Sequence, residues 1–182
     1  MALHVVCGPM FSGKTTLAMQ TVRRYRSVGT NVMILSHSSD TRYTLHGLGS
    51  HDAVVMTAHL GTMLMPFTEQ PEWRDSRVIV VEEAQFFADL VPFCIQAVET
   101  YHKTVFVYGL DGNFRREPFG HILELAPLAD TFQKIAAFCK LCQTDTPAIF
   151  TAAVQAMPMD GVCVAGEDVY KAVCRKHFKE IN

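Results

Sequence analysis

Residues 8–15 read Gly8-Pro9-Met10-Phe11-Ser12-Gly13-Lys14-Thr15, and this stretch decides the fold. Gly8 with Gly13-Lys14-Thr15 completes the G-x-x-x-x-G-K-[ST] spacing of a phosphate-binding loop. Such a loop needs a strand before it and a helix after it. The apolar run 3–7 predicts the strand, and residues 16–25 predict the helix. In that setting the N–H groups of a tight turn and of a helix N-terminus point at the phosphates, and the helix dipole adds positive potential. Lys14 then reaches the β- and γ-phosphates, and the Thr15 hydroxyl ligates Mg²⁺.

Working outward, further apolar runs predict strands at 32–35, 53–56, 78–81 and 104–108. Val and Ile dominate them without clean alternation, the pattern of strands covered on both faces. Helix-compatible stretches lie near 60–65 and at 90–101. Strands alternating with helices predict an α/β fold with a mostly parallel sheet, whose ligands sit at the carboxyl ends of the strands. Three segments are expected there: the loop 8–15, the acidic pair after Val81, and Gly109 to Phe119. Residues 36–51 are polar and read as a loop. The character changes at Cys139, which suggests two units, 1–138 and 139–182.

The chain has 182 residues, of which 49% are apolar, enough to bury a real core, and its formal net charge is −2. No basic run exceeds Arg23-Arg24, so a nucleic-acid polymer is not the expected partner. No apolar run approaches the roughly 18 residues of a membrane span. The start of the chain carries no secretory signal pattern, which predicts a reducing, cytoplasmic setting. The six cysteines are then thiols or metal ligands. Cys7, Cys94 and Cys163 read as packed core residues.

The strand at 78–81 ends in Glu82-Glu83, followed by Gln85-Phe86-Phe87. Next to a phosphate loop this position carries the acid that holds Mg²⁺, which assigns Glu82 to the metal. Glu83 is then the group that takes a proton from an attacking hydroxyl. Side chains of successive strand residues point to opposite faces, so both acids serve one site only if the strand ends between them. Cys139-x₂-Cys142 and Cys174-x₂-His177, with 31 residues between the pairs, have the spacing of a four-ligand structural Zn²⁺ site.

Together these segments resemble the zinc-containing, phosphate-loop thymidine kinase family of animals, bacteria and large DNA viruses. The resemblance covers nearly the whole chain. It rests on Gly8 to Thr15, on Asp40-Thr-Arg42-Tyr43, on Glu83-Ala-Gln85-Phe86-Phe87, on Gly109-Leu110-Asp-Gly-Asn-Phe114 through Pro118-Phe119-Gly120, and on the four Cys/His residues. It implies a P-loop NTPase core with a small C-terminal zinc-bound lasso subdomain. It implies transfer of the ATP γ-phosphoryl to the 5′-hydroxyl of thymidine or deoxyuridine, with Glu83 as general base. Asp40, Arg42 and Gln85 join residues 8–15 at the ATP phosphates. Phe86, Phe114 and Phe119 wall the nucleoside pocket, with Met10, Leu110 and Thr151 beside the base. Tyr170 closes over the base, and Val162, Cys163, Val164, Ala165 and Gly166 form the lasso that binds it through backbone groups. The family's usual homotetramer and feedback inhibition by dTTP follow as expectations.

The sequence departs from the family pattern in three places. Glu82 stands where Asp is usual, Ala165 interrupts the usual Gly-Gly of the lasso, and Phe150-Thr151-Ala152-Ala153 lacks a basic residue. The aromatic segment 114–119 supplies flat faces for a base, whereas Phe87 and Phe132 read as ordinary core. Two other readings remain open on residues alone: a phosphate-loop ATPase or switch module without a nucleoside substrate, and a zinc-stabilised nucleic-acid binder, which the charge disfavours.

Overall fold

The computed structural model describes residues 1–39, 57–155 and 169–181. The expected strand at 53–56, most of the loop 36–51, Asp40, Arg42, Cys163 and the lasso residues 162–166 lie outside the described residues.

Among the described residues the core is a six-stranded parallel sheet. Its strands are β1 (Ala2–Cys7), β2 (Val32–His37), β3 (His59–Gly61), β4 (Val78–Glu82), β5 (Thr104–Gly109) and β6 (Thr131–Lys134), in the spatial order β3-β2-β4-β5-β1-β6. Helix α1 (Lys14–Arg26) carries the chain from β1 past two strand positions to β2. It buries Ala18, Met19 and Val22 on one stripe and places Arg23, Arg24 and Arg26 in its last turn, where they meet the negative end of the dipole. One core cluster joins Val5, Leu35, Ile79, Val81, Val105 and Val107 to Trp73, Phe87 and Phe93. A second packs α1 on Ile34, Val80 and Tyr108. Strand β4 is buried at every position, as parallel strands covered on both faces require. Cys7 and Cys94 lie in this core. Burial pushes their thiols up to about 11 and about 12, so neither is a thiolate at neutral pH.

Two expectations fail, and a third holds with a change of winding. The helix expected near 60–65 is instead strand β3 followed by a 3₁₀ turn, Met65–Glu69. The buried Asp89 carboxylate accepts the N–H groups of Leu64 (3.0 and 2.8 Å) and Met65 (2.8 Å), and Pro66 sits at the second turn position. Those bonds start a new turn at 65 rather than extend one through it. The helix expected over 90–101 is present: α3 (Leu90–Ile95) runs without a break into a π turn, Gln96–Thr100. Phe132 is not core. It lies on β6, exposed at all four positions, with which, among the described strands, only β1 pairs. Phe87 is fully buried.

Helix α2 (Pro71–Asp75) is fastened from outside. Lys103, just before β5, is buried, and its Nζ donates to the carbonyls of Trp73 and Ser76 at 2.6 Å each. Its ammonium lies 4.5 Å from the Trp73 ring centroid, and burial lowers its pKa. Lys103→Met leaves both carbonyls unbonded. We expect a loss of about 2–3 kcal/mol, read from the urea unfolding midpoint.

Past β6 the described residues form two small antiparallel strand pairs. Strands β7 (Ala137–Phe138) and β8 (Pro147–Ala148) pair antiparallel, as do β9 (Phe150–Ala153) and β10 (Tyr170–Val173), and α4 (Arg175–Ile181) closes the unit. Its apolar cluster is Ala137, Cys139, Ala148, Ala152, Ala172, Val173, Cys174 and Phe178. Half of these residues are alanines, so the apolar area is small. None of the described helices is long and apolar enough to cross a membrane.

Candidate active site

The three segments singled out from the sequence leave the carboxyl ends of β1, β4 and β5, which stand side by side in the sheet as β4-β5-β1. After β1 the chain turns at Gly8, with φ 152°. A Cβ there would strike the Ile135 carbonyl oxygen, so the close approach of two backbones requires glycine. Phe11 and Gly13 also have positive φ, 63° and 86°. Lys14 folds over this turn and donates to the carbonyls of Gly8 (3.2 Å) and Pro9 (2.7 Å), while Ser12 donates to the Pro9 carbonyl (2.8 Å). Thr15 follows, half-buried in the first turn of α1. The Met10 N–H donates to the Thr151 hydroxyl (3.0 Å), which ties the phosphate loop to β9 of the C-terminal unit.

Strand β4 ends at Glu82, which is 2% exposed. Glu83 then takes left-handed backbone angles, φ 51° and ψ 40°, ahead of a 3₁₀ turn at Ala84–Phe86. The strand therefore does end between the two acids. A non-glycine residue held in this region stores strain, the kind that clusters at functional sites. The Gln85 amide group donates to Glu83 Oε2 (2.7 Å), and its Oε1 accepts the Leu110 N–H (2.9 Å). Gln85 is itself buried and so locks Glu83 to the end of β5. Sequence reasoning placed Gln85 with the phosphates; its described bonds run to Glu83 and Leu110.

Segment 109–120 presses on Gln85 from two sides. A Cβ on Gly109 would stand 2.7 Å from Gln85 Oε1, and a Cβ on Gly120, φ 59°, would strike the Gln85 carbonyl oxygen. Gly120→Ala therefore combines backbone strain with displacement of the residue that holds Glu83. We expect about 1–3 kcal/mol of destabilisation and a fall in kcat larger than the rise in KM, checked by thermal melting and steady-state kinetics.

The aromatic residues meet in pairs. Phe86 and Phe119 are edge-to-face with centroids 5.4 Å apart, and Phe114 lies 6.3 Å from Tyr170 of β10. His37, at the end of β2, packs on Phe86 (5.4 Å) and Phe87 (5.1 Å), and burial lowers its pKa, so it is neutral at pH 7. His37 was missed by sequence reasoning, and no motif marks it. Asp111 pairs with Lys134 of β6 at 2.5 Å.

Cys139, Cys142, Cys174 and His177 bring one ligand atom each within 4.8 Å of one another. The His177 Nδ1 lies 3.4, 3.3 and 3.4 Å from the three sulfurs in chain order, and the Cys142 and Cys174 sulfurs are 3.8 Å apart. Ligands at about 2.3 Å (S) and 2.0 Å (N) in a tetrahedron have edges of about this length. Burial alone raises the Cys139 thiol, but the N–H groups of Cys174, Cys142 and Leu141, together with His177, outweigh it and bring the pKa down to about 6. One of these is the Cys174 N–H to the Cys139 sulfur, at 3.3 Å. The Cys174 thiol is also lowered, chiefly by the His177 N–H, whereas burial raises that of Cys142. The four side chains offer four ligand atoms and could hold a metal ion.

A family model described as thymidine kinase matches residues 1–178. Thymidine kinase a of Arabidopsis thaliana is 37% identical over 180 residues, 97% of this chain and 74% of the plant protein. Human cytosolic thymidine kinase is 37% identical over 179 residues, covering 98% and 74%. The thymidine kinase of Variola virus is 37% identical over 176 residues, covering 97% and 96%. The match runs from the loop after β1 through the acids on β4 to the Cys/His group, and this chain belongs to the thymidine kinase family.

Proposed function

We propose that the protein transfers the γ-phosphoryl group of ATP to the 5′-hydroxyl of thymidine, or of deoxyuridine. The observation that carries this reading is Glu83, fixed by Gln85 at the end of β4, with β5 and its aromatic segment between it and the phosphate loop on β1. Glu83 accepts the 5′-hydroxyl proton as the oxygen forms its bond to the γ-phosphorus. The bond to the β,γ-bridging oxygen breaks and ADP leaves. Gly8 to Thr15, with Asp40 and Arg42, hold the phosphates, and Lys14 exchanges the carbonyls of Gly8 and Pro9 for phosphate oxygens. Gln85 acts in this reading by orienting Glu83. Phe86, Phe114, Phe119 and Tyr170 supply the base pocket, with Met10, Leu110, Thr151 and residues 162–166 along its edge.

The Thr15 hydroxyl and the Glu82 carboxylate are hard oxygen donors suited to Mg²⁺, which when bound neutralises charge on the phosphates. Cys139, Cys142, Cys174 and His177 hold a structural Zn²⁺, whose role is order rather than chemistry. The same reading divides the chain into a nucleotide half, 1–138, and a metal-held half, 139–182, and adds a homotetramer, inhibition by dTTP and a cytoplasmic setting.

The test is ADP formation with ATP and Mg²⁺ across a panel of nucleosides. Formation that depends on thymidine or deoxyuridine is expected. Equal ATP turnover with no nucleoside present would replace this reading with an ATPase.

A further inference from the structure

Arg116 stands in a conformation that an arginine enters only at a cost. It has φ 66° within a tight turn closed by the Gly112–Pro118 bridge, the Asn113 N–H to Glu117 carbonyl bond (2.9 Å) and the Arg116 N–H to Asn113 carbonyl bond (3.0 Å). The Asn113 side-chain oxygen also accepts the N–H groups of Arg115 (2.9 Å) and Glu117 (3.0 Å). A left-handed residue in such a turn is ordinarily glycine. The observed outlier asks what the side chain does in return.

The Arg116 guanidinium lies 4.6 Å from the ring centroid of Phe178 and 5.6 Å from that of Phe150. These rings are 5.1 Å apart, and Arg175 reaches the Phe150 ring from its own place on α4 at 5.1 Å. Phe178 is buried, follows the metal-ligating His177, and its N–H donates to the Cys174 carbonyl (2.9 Å). Phe150 precedes Thr151, which bonds the phosphate loop. Arg116 therefore spans from the turn that carries Phe114 to two rings fixed by the metal-ligating unit. Arg116 as a whole is exposed, but the Phe178 ring that its guanidinium covers is buried, so the contact closes one face of that ring to water.

We propose that Arg116 is a positioning residue, whose contact with Phe178 and Phe150 registers segment 109–120, and with it Phe114, on the metal-held unit. Metal occupancy then sets where one wall of the nucleoside pocket stands. The consequence for the nucleoside rests on the kinase reading above; the coupling to the metal does not.

The experiment has two arms on the full-length protein. In the first, amide hydrogen exchange is followed over residues 112–118, before and after a chelator, in wild type and in Arg116→Met. Wild type should exchange this turn at least about tenfold faster once the metal is removed. Arg116→Met should keep about one metal per chain, exchange fast from the outset, and respond to the chelator by less than about twofold. In the second arm, Arg116→Met should raise the KM for thymidine about tenfold, with kcat and the KM for ATP within about twofold. Phe178→Leu should reproduce that shift, and the double variant should add nothing to it. A turn that exchanges and responds to the chelator alike in both proteins overturns the proposal, as does loss of the metal from Arg116→Met. A wild-type protein that phosphorylates no nucleoside removes the kinase reading and leaves the first arm intact.

Discussion

Glu83→Gln lowers kcat for nucleoside phosphorylation by about 10²–10⁴-fold, the usual range for losing a positioned general base. The substitution is nearly isosteric. The Gln85 amide can still donate to the side-chain oxygen that replaces Glu83 Oε2, so the link through Gln85 to Leu110 survives. The left-handed backbone at 83 is equally strained for Glu and Gln, so stability should barely change. The phosphate loop and the aromatic pairs do not contain the residue, and binding of ATP and thymidine should stay within a fewfold. Single-turnover kinetics separate the chemical step from binding. A variant with normal single-turnover rate would remove Glu83 from proton transfer and leave Glu82 as the nearest acid on the strand.

Cys174→Ser releases the metal and with it the nucleoside, while ATP binding persists. Structural zinc sites contribute apparent binding free energies of about 10–16 kcal/mol in small peptides, and that energy is folding energy. The C-terminal unit has little else to hold it. Its strands are short, and half of its apolar cluster is alanine. Cys174 also donates its N–H to the Cys139 sulfur and accepts the Phe178 N–H, so disturbing it affects both knuckles. Thr151 and Tyr170 lie on strands of this unit, and on the proposed function they border the nucleoside, so thymidine affinity should fall by more than about 100-fold. The parallel sheet draws its core from other residues, so far-ultraviolet circular dichroism should keep most of its amplitude. Elemental analysis should find about one zinc per chain in wild type and almost none in the variant. A Cys174→Ser protein with wild-type thymidine affinity would detach the metal from the nucleoside pocket.

The parts of the fold legible in the sequence are those whose cause is local. The central strands are runs of Val and Ile because both faces of β4 and β5 are covered, and such runs stand out from their surroundings. The phosphate loop and the Cys/His knuckles are legible because their spacing is itself the geometry. Strands β3 and β6 are not, since three or four half-exposed or exposed residues at a sheet edge leave no periodic trace. Phe132 misleads for the same reason: an aromatic residue on an uncovered edge strand has the composition of a core residue without a core. The change from α to π winding at Gln96 has no Gly or Pro beside it, and no local pattern in the sequence marks it. Within the site, the two roles hardest to read were those of Gln85 and Arg116. Each depends on where a side chain reaches across the fold, to Leu110 in one case and to Phe178 in the other.

The bond between the Met10 N–H and the Thr151 hydroxyl joins residues 141 positions apart. During synthesis the phosphate loop is made well before this hydrogen-bond partner. At about 5–20 residues per second the loop waits roughly 7–28 s for Thr151 to be added. Through that interval a nascent chain can assemble the strands that cradle phosphate without the groups that bound the nucleoside pocket. A ribosome-held fragment that stops short of Thr151 is thus expected to retain ATP before it can retain a nucleoside.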